Sequence, residues 1–157
     1  MIILGISLGT RNIGFALMRN GELKDYGVKC FKQKWTRTKE SEILSSIEKL
    51  VEYDEATAIA LKSPDPIRSS KRLNHLNDRL LKALEKGKVK VCSYSLLTVK
   101  IGLGIKDKRK DGFLWHISEL YPELRKPYLK EINNRHSYYD RMFEAIALAK
   151  WCAHENE

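Results

Sequence analysis

The stretch Gly5-Ile-Ser-Leu-Gly-Thr-Arg-Asn-Ile-Gly14 decides how the chain is read. An apolar, β-branched run over residues 2–8 leads into it and a second run, 12–18, leaves it, so the stretch reads as the connection between two strands. Its glycines and Thr10 suggest a turn that holds something at a strand end. The backbone N–H groups of Thr10, Arg11 and Asn12, with the Thr10 hydroxyl, suit a phosphate; they suit an ordinary capped hairpin equally well. Ser7 stands where a metal centre or phosphate-handling site would place a carboxylate, and a hydroxyl carries no charge.

Outward from this turn the pattern is regular. Asn20-Gly21 is a strong hairpin signal and leads into a third strand at about 22–31. A basic stretch follows, then Ile43, Leu44, Ile47, Leu50 and Val51 at helical spacing, with Thr38 or Ser41 as the cap. Residues 57–61 form an apolar central strand. Residues 68–86 read as a helix with Leu73, Leu76, Leu80, Leu81 and Leu84 inside, stopped by Gly87. Residues 88–95 alternate as a strand, and helices are expected at 111–121 and 136–153 around a proline-containing connection. Helices that cross between consecutive strands give parallel pairing. The expected fold is α/β: a mixed five-stranded sheet, antiparallel through the first three strands and parallel in the last two, flanked by helices. Phe15, Trp115, Met142, Phe143 and Trp151 follow element spacing and are assigned to core packing.

The 157 residues are read as a single domain, 1–157, with hydrophobic residues at 43% and charged residues at 31%. The opening apolar run reads as a strand and not as a signal peptide, and no run approaches the roughly 20 residues of a membrane span. The expectation is a cytoplasmic protein with no membrane partner. Cys30, Cys92 and Cys152 lack the spacing of a disulfide frame or zinc site and read as small thiols, buried in strands for the first two. A net charge of +9 favours a polyanionic partner, of which nucleic acid is the commonest.

The element order is that of the ribonuclease H-like fold, and three motifs bring the likeness closer. IILGISLGTRNIGFAL (2–17) resembles the first hairpin of RuvC-like Holliday junction resolvases. FEAIALAKW (143–151) resembles their final helix, and VKIGLGIKDK (99–108) their basic, glycine-containing stretch. Actin-like ATPases and sugar kinases share the hairpin but need two such domains. The resemblance implies a Mg²⁺- or Mn²⁺-dependent endonuclease that acts on branched DNA, often as a homodimer. In such enzymes a set of carboxylates holds two ions, which activate the attacking water and neutralise the leaving oxygen. Carried onto this chain, the first acid corresponds to Ser7 and the second to Lys62. Glu144 matches the acid before Ala-x-Ala. The helix's other acid corresponds to Arg141, with Asp140 one residue away; Asp65 is a candidate substitute for the acid at Lys62, and His136 a candidate assisting ligand or general acid. Asp140, Glu144, Asp65, Ser7 and Lys62 are therefore the candidate catalytic positions, and Asp140, Glu144 and His136 the candidate metal ligands. With two expected acids replaced, the reading is a nucleic-acid-binding homologue with impaired or absent two-metal cleavage, and without a metal if inactive. An active endonuclease with a modified acidic site and a protein-interaction module are the alternatives.

Three basic clusters supply the expected nucleic-acid contacts. The first surrounds Trp35 at 32–39, where cations interleave with an aromatic ring. The second comprises Arg68, Ser69, Lys71 and Arg72 at a helix start. The third is Lys106, Lys108, Arg109 and Lys110, with Lys100 upstream. Thr10 and Arg11 complete the candidate set, for duplex or branched DNA, and Tyr138 and Tyr139 could stack a base.

Overall fold

The computed structural model describes residues 1–107, 109–134 and 136–157. Strands β1 (Ile2–Ser7), β2 (Asn12–Arg19), β3 (Glu22–Cys30), β4 (Ala58–Lys62) and β5 (Lys90–Tyr94) form one sheet in the order β3-β2-β1-β4-β5. β1 pairs antiparallel with β2, as β2 does with β3; β4 pairs parallel with both β1 and β5. This is the mixed sheet that the element order predicts. At Asn20 and Gly21 φ is +52° and +81°, the pair of left-handed residues that a two-residue hairpin with the strands' own twist demands.

The period-two alternation of the strands divides the core. Leu4, Ile6, Ile59 and Leu61 face α1 (Arg37–Tyr53) and α2 (Lys71–Glu85), packing on Ile43, Ile47, Leu76 and Leu80. Ile3, Ala16, Met18, Ala58 and Ala60 face α3 (Leu96–Gly102), α4 (Lys110–Leu120) and α6 (Asp140–Glu155), and α5 (Arg125–Asn133) follows a single 3₁₀ turn, Pro122–Leu124. Phe143 lies fully buried at the centre of this second layer. None of the described helices is long and apolar enough to cross a membrane.

Helix α6 lies directly on the first hairpin, and glycine makes that possible. A Cβ at Gly5 would collide with the Ala145 carbonyl, one at Gly14 with the Arg141 backbone, and one at Gly9 with the Arg141 side chain. None of the three has a positive φ. Their role is therefore close approach between helix and strands, and not the turn conformation for which the sequence suggested them.

Several boundaries differ from expectation. α1 is capped by Thr36, whose Oγ1 accepts from Lys39 N at 3.1 Å, because its first turn is polar and hides from an apolar pattern. α2 begins at Lys71 with Ser70 as cap, since Asp65 holds residues 67–68 in a turn. α6 begins at Asp140 and not at 136. The short helices α3 and α5 carry too few buried residues to show a period. Trp115 is 52% exposed, so core packing does not explain it, and Cys30 is exposed.

Glu40, 4% exposed, joins the two helices of the first layer: Arg79 donates to it at 2.6 Å, and His75 lies alongside. Burial opposes its ionisation, but the Arg79 and His75 hydrogen bonds outweigh that and hold its pKa below 4.5. The sign follows from the depressed value: the contribution is present above about pH 4.5 and is lost as pH falls through the folded value. The stability gap between wild type and Glu40→Gln, read from urea midpoints, is expected to shrink between pH 7 and pH 3. Gly5→Ala and Gly14→Ala should each cost about 2–3 kcal/mol, because backbone cannot yield as a side chain does. Gly87→Ala, where a Cβ would meet nothing nearer than 3.5 Å, should stay within about 0.5 kcal/mol.

Candidate nucleic-acid interface

Parallel pairing of β1 with β4 brings Ser7 and Lys62, the last residues of each strand, to the same sheet edge, and α6 crosses that edge with Glu144 one turn in. The three side chains meet. The Ser7 hydroxyl, fully buried, donates to Glu144 Oε1 at 2.7 Å. Lys62 Nζ donates to both carboxylate oxygens at 3.1 Å, with the lysine and glutamate side chains only 25% and 15% exposed. Positions 137 and 82 residues apart thus form one compact contact.

A central cleft of about 320 Å³ opens beside it, bounded by Thr10, Arg11 and Asn12 on one side and by Tyr138, Asp140 and Arg141 on the other. Asp140 shares the cleft with Glu144 but pairs with Lys110 Nζ at 3.0 Å. Burial opposes the charge on Lys110, yet its hydrogen bonds to Glu131 and Asp140 prevail and hold its pKa above the ordinary lysine value. Arg141, which the resemblance set at the position of the second helix acid, lines the cleft and donates to the Leu8 carbonyl.

This donor set does not fit a pair of Mg²⁺ ions. Hard divalent ions need several free oxygen ligands, whereas Glu144 is bridged by an ammonium and a hydroxyl and Asp140 by a second ammonium. Arg141 adds a further cation to the same wall. Among the described residues no group of three His, Cys, Asp or Glu side chains is gathered as a metal ion would require. Asp65 lies apart from the central cleft. Its Oδ1 accepts from the Ile67 and Arg68 backbone N–H groups, which lower its pKa. His136 precedes α6 and is exposed, outside the cleft lining.

Only part of the expected basic set lines hollows at the same edge. A groove of about 520 Å³ shares Thr10, Arg11 and Asn12 with the central cleft and continues to Lys32, Lys34, Trp35 and Arg72, with no carboxylate in its lining. The Phe31 N–H donates to the Arg11 carbonyl at 2.8 Å and fixes this loop to the turn. Trp35 packs partly on the core, with Lys39 Nζ 5.6 Å from its ring centre. On the opposite side of Lys62, Arg68 and Ser69 line a third hollow. Lys71, Lys106 and Arg109 are exposed and border none of these hollows; Arg109 pairs with Asp107. Lys100 sits over the Phe113 ring. Lys108 lies outside the described residues.

Two residues with structural roles had no sequence signal. Glu131, 3% exposed, accepts from the Tyr138 and Tyr139 N–H groups at 2.9 and 2.8 Å and from Lys110 at 3.0 Å. It therefore sets where α6 begins and where Lys110 and Asp140 stand. Asn77 on α2 is buried and lines the same hollow as Lys62. Both act through partners distant in sequence or through a cavity, which no local pattern reports.

The fold is that of Thermus thermophilus RuvC in complex with a Holliday junction substrate, with TM-score 0.73 and 18% identity over 99% of this chain and 95% of that one. A second structure of T. thermophilus RuvC gives 0.71 and 19% over 99% and 96%. Fowlpox virus resolvase in complex with its substrate Holliday junction DNA gives 0.60 and 15%, over 99% of both chains. No family model matches the sequence, and no curated protein matches it. At these identities the likeness is one of fold, and it spans the whole sheet and its helices.

Lys62→Met should destabilise the protein by about 1–3 kcal/mol, since it leaves a shielded carboxylate with the Ser7 hydroxyl alone. Combining it with Glu144→Leu should recover part of the loss, and a double-mutant cycle in urea measures the coupling. Glu131→Ala should cost about 2–4 kcal/mol. Glu131→Gln, which keeps an acceptor for the two N–H groups, should cost less by the same measurement.

Proposed function

We propose that this protein is a RuvC-like nucleic-acid-binding protein that engages branched or duplex DNA and in which two-metal phosphodiester cleavage is impaired or absent. The observation that carries the reading is the Lys62–Glu144 contact: both oxygens of the helix carboxylate are held by an ammonium, with Ser7 on one of them. An ammonium in that position supplies the positive charge that a metal would bring beside a phosphate, but it cannot lower the pKa of a bound water as a divalent ion does. The carboxylate-free groove through Arg11, Lys32, Lys34 and Arg72 supports the same reading, since phosphate contacts supply most of the affinity for nucleic acid. The neighbours' complexes with Holliday junction DNA make a four-way junction the substrate to test first. The motif resemblance to RuvC-like resolvases adds a homodimer to the proposal.

A second reading is one-metal cleavage by Asp140 and Glu144, favoured by their shared cleft. Gel retardation of a four-way junction across a salt series, beside a nicking assay with Mg²⁺ and Mn²⁺, separates the readings. We expect retardation whose log–log salt slope is about −5, as for some six phosphate contacts, and no metal-dependent nicks. Nicks abolished by Glu144→Ala would establish the second reading instead. No retardation at low salt would leave a protein-interaction module. The combined Ser7→Asp and Lys62→Glu substitutions should introduce Mg²⁺ or Mn²⁺ binding that calorimetry detects and wild type lacks.

A further inference from the structure

The third hollow, about 250 Å³, lies between the end of β1, the loop after β4 and the first two turns of α2. Lys62 and Arg141 line it as well as the central cleft, so these two cations form the partition between them. Beyond the partition the character changes. Leu8, Pro64 and Leu73 supply apolar walls, and Asp65, Arg68 and Ser69 stand at the rim, with Asp65 Oδ1 taken up by the Ile67 and Arg68 N–H groups. Leu73 and Asn77, spaced i, i+4, point from the same face of α2 into the space.

Asn77 is the telling residue. It is 7% exposed, and its Oδ1 is buried with no hydrogen-bond partner among the described residues. A buried amide left unpaired costs stability, so a core position would favour leucine. Terminal amide torsions are broad and nearly two-fold; by turning, Asn77 can offer either its oxygen or its NH₂ group to the space. That combination matches an edge carrying a donor next to an acceptor, as Asn and Gln match adenine. Apolar walls, one amide and cations at the mouth, where the one carboxylate, Asp65, is already held by backbone N–H groups, are the features of a pocket that receives a base taken out of a stack.

We propose that this hollow is a pocket for a single extruded nucleobase, held between Leu8, Pro64 and Leu73 and read by Asn77, with the adjoining phosphate resting on the Lys62–Arg141 partition. The inference rests on the nucleic-acid reading above and adds to it a base-contacting subsite outside the central cleft.

The test uses the full chain and free deoxynucleoside 5′-monophosphates, followed by ¹H–¹⁵N spectra of the side-chain amides, with inorganic phosphate and deoxyribose 5-phosphate as baseless probes. We expect the nucleotides to shift the Asn77 NH₂ pair while the baseless probes leave it in place. Asn77→Leu should weaken nucleotide binding about fivefold to tenfold, the loss of one or two hydrogen bonds, while raising the melting temperature because an unpaired buried amide is gone. Equal response of Asn77 to phosphate alone, or nucleotide affinity unchanged in Asn77→Leu, would overturn the pocket. Retardation of the four-way junction by the wild type keeps the two ideas apart: a protein that shifts the junction without any nucleotide response at Asn77 retains the nucleic-acid reading and loses the pocket. Absence of both responses ends both.

Discussion

Helix α6 rests on the first hairpin with almost nothing between them, and the geometry of the site depends on that contact. Gly5 and Gly14 present bare backbone to Ala145 and Arg141, and Ala149 continues the row of small residues. Interiors packed to crystal density transmit position faithfully, so a helix seated this closely has little freedom to slide or roll. Glu144 therefore arrives at the end of β1 within hydrogen-bond reach of Ser7, and Arg141 reaches the Leu8 carbonyl through the gap left at Gly9.

On that scaffold the charges sort into two kinds. At the sheet edge every one of these acids is paired with a cation: Glu144 with Lys62, and Asp140 and Glu131 with a shared Lys110. These pairs are partly shielded, where removing one partner costs more than the pair contributes as a whole. Away from it, the groove past the β1–β2 turn carries basic side chains with no acid in its lining. A polyanion approaching the edge would meet uncompensated charge first along the groove and a neutralised, hydrogen-bonded centre last. That separation underlies the proposed function, and Lys62 and Arg141 mark the border at which the amide of Asn77 becomes reachable.

Much of this was legible in the residues. Hydrophobic period fixes strands and long helices, and the order of elements then limits the pairing, so the mixed sheet followed from β-branched runs and crossover helices. Ser7, Lys62 and Glu144 could be placed because each falls at a strand end or in a short, distinctive helix motif. The same logic failed where the signal was not local. The Thr36 cap sits before a polar first turn, α3 buries Val99 alone, and α6 starts at Asp140 because a carboxylate from α5 takes the N–H groups just before it.

What the sequence determined by itself was the kind of chain: one that alternates into a sheet, carries excess positive charge, and has a hydroxyl and an ammonium at two strand ends. Whether those groups meet was a matter for tertiary structure, since contacts across 82 and 137 residues depend on strand register and helix seating. Local pattern records which face of an element is apolar. It does not record which polar groups that apolar packing will bring together, and the sheet edge, the Glu131 hub and the unpaired amide of Asn77 all belong to that second class.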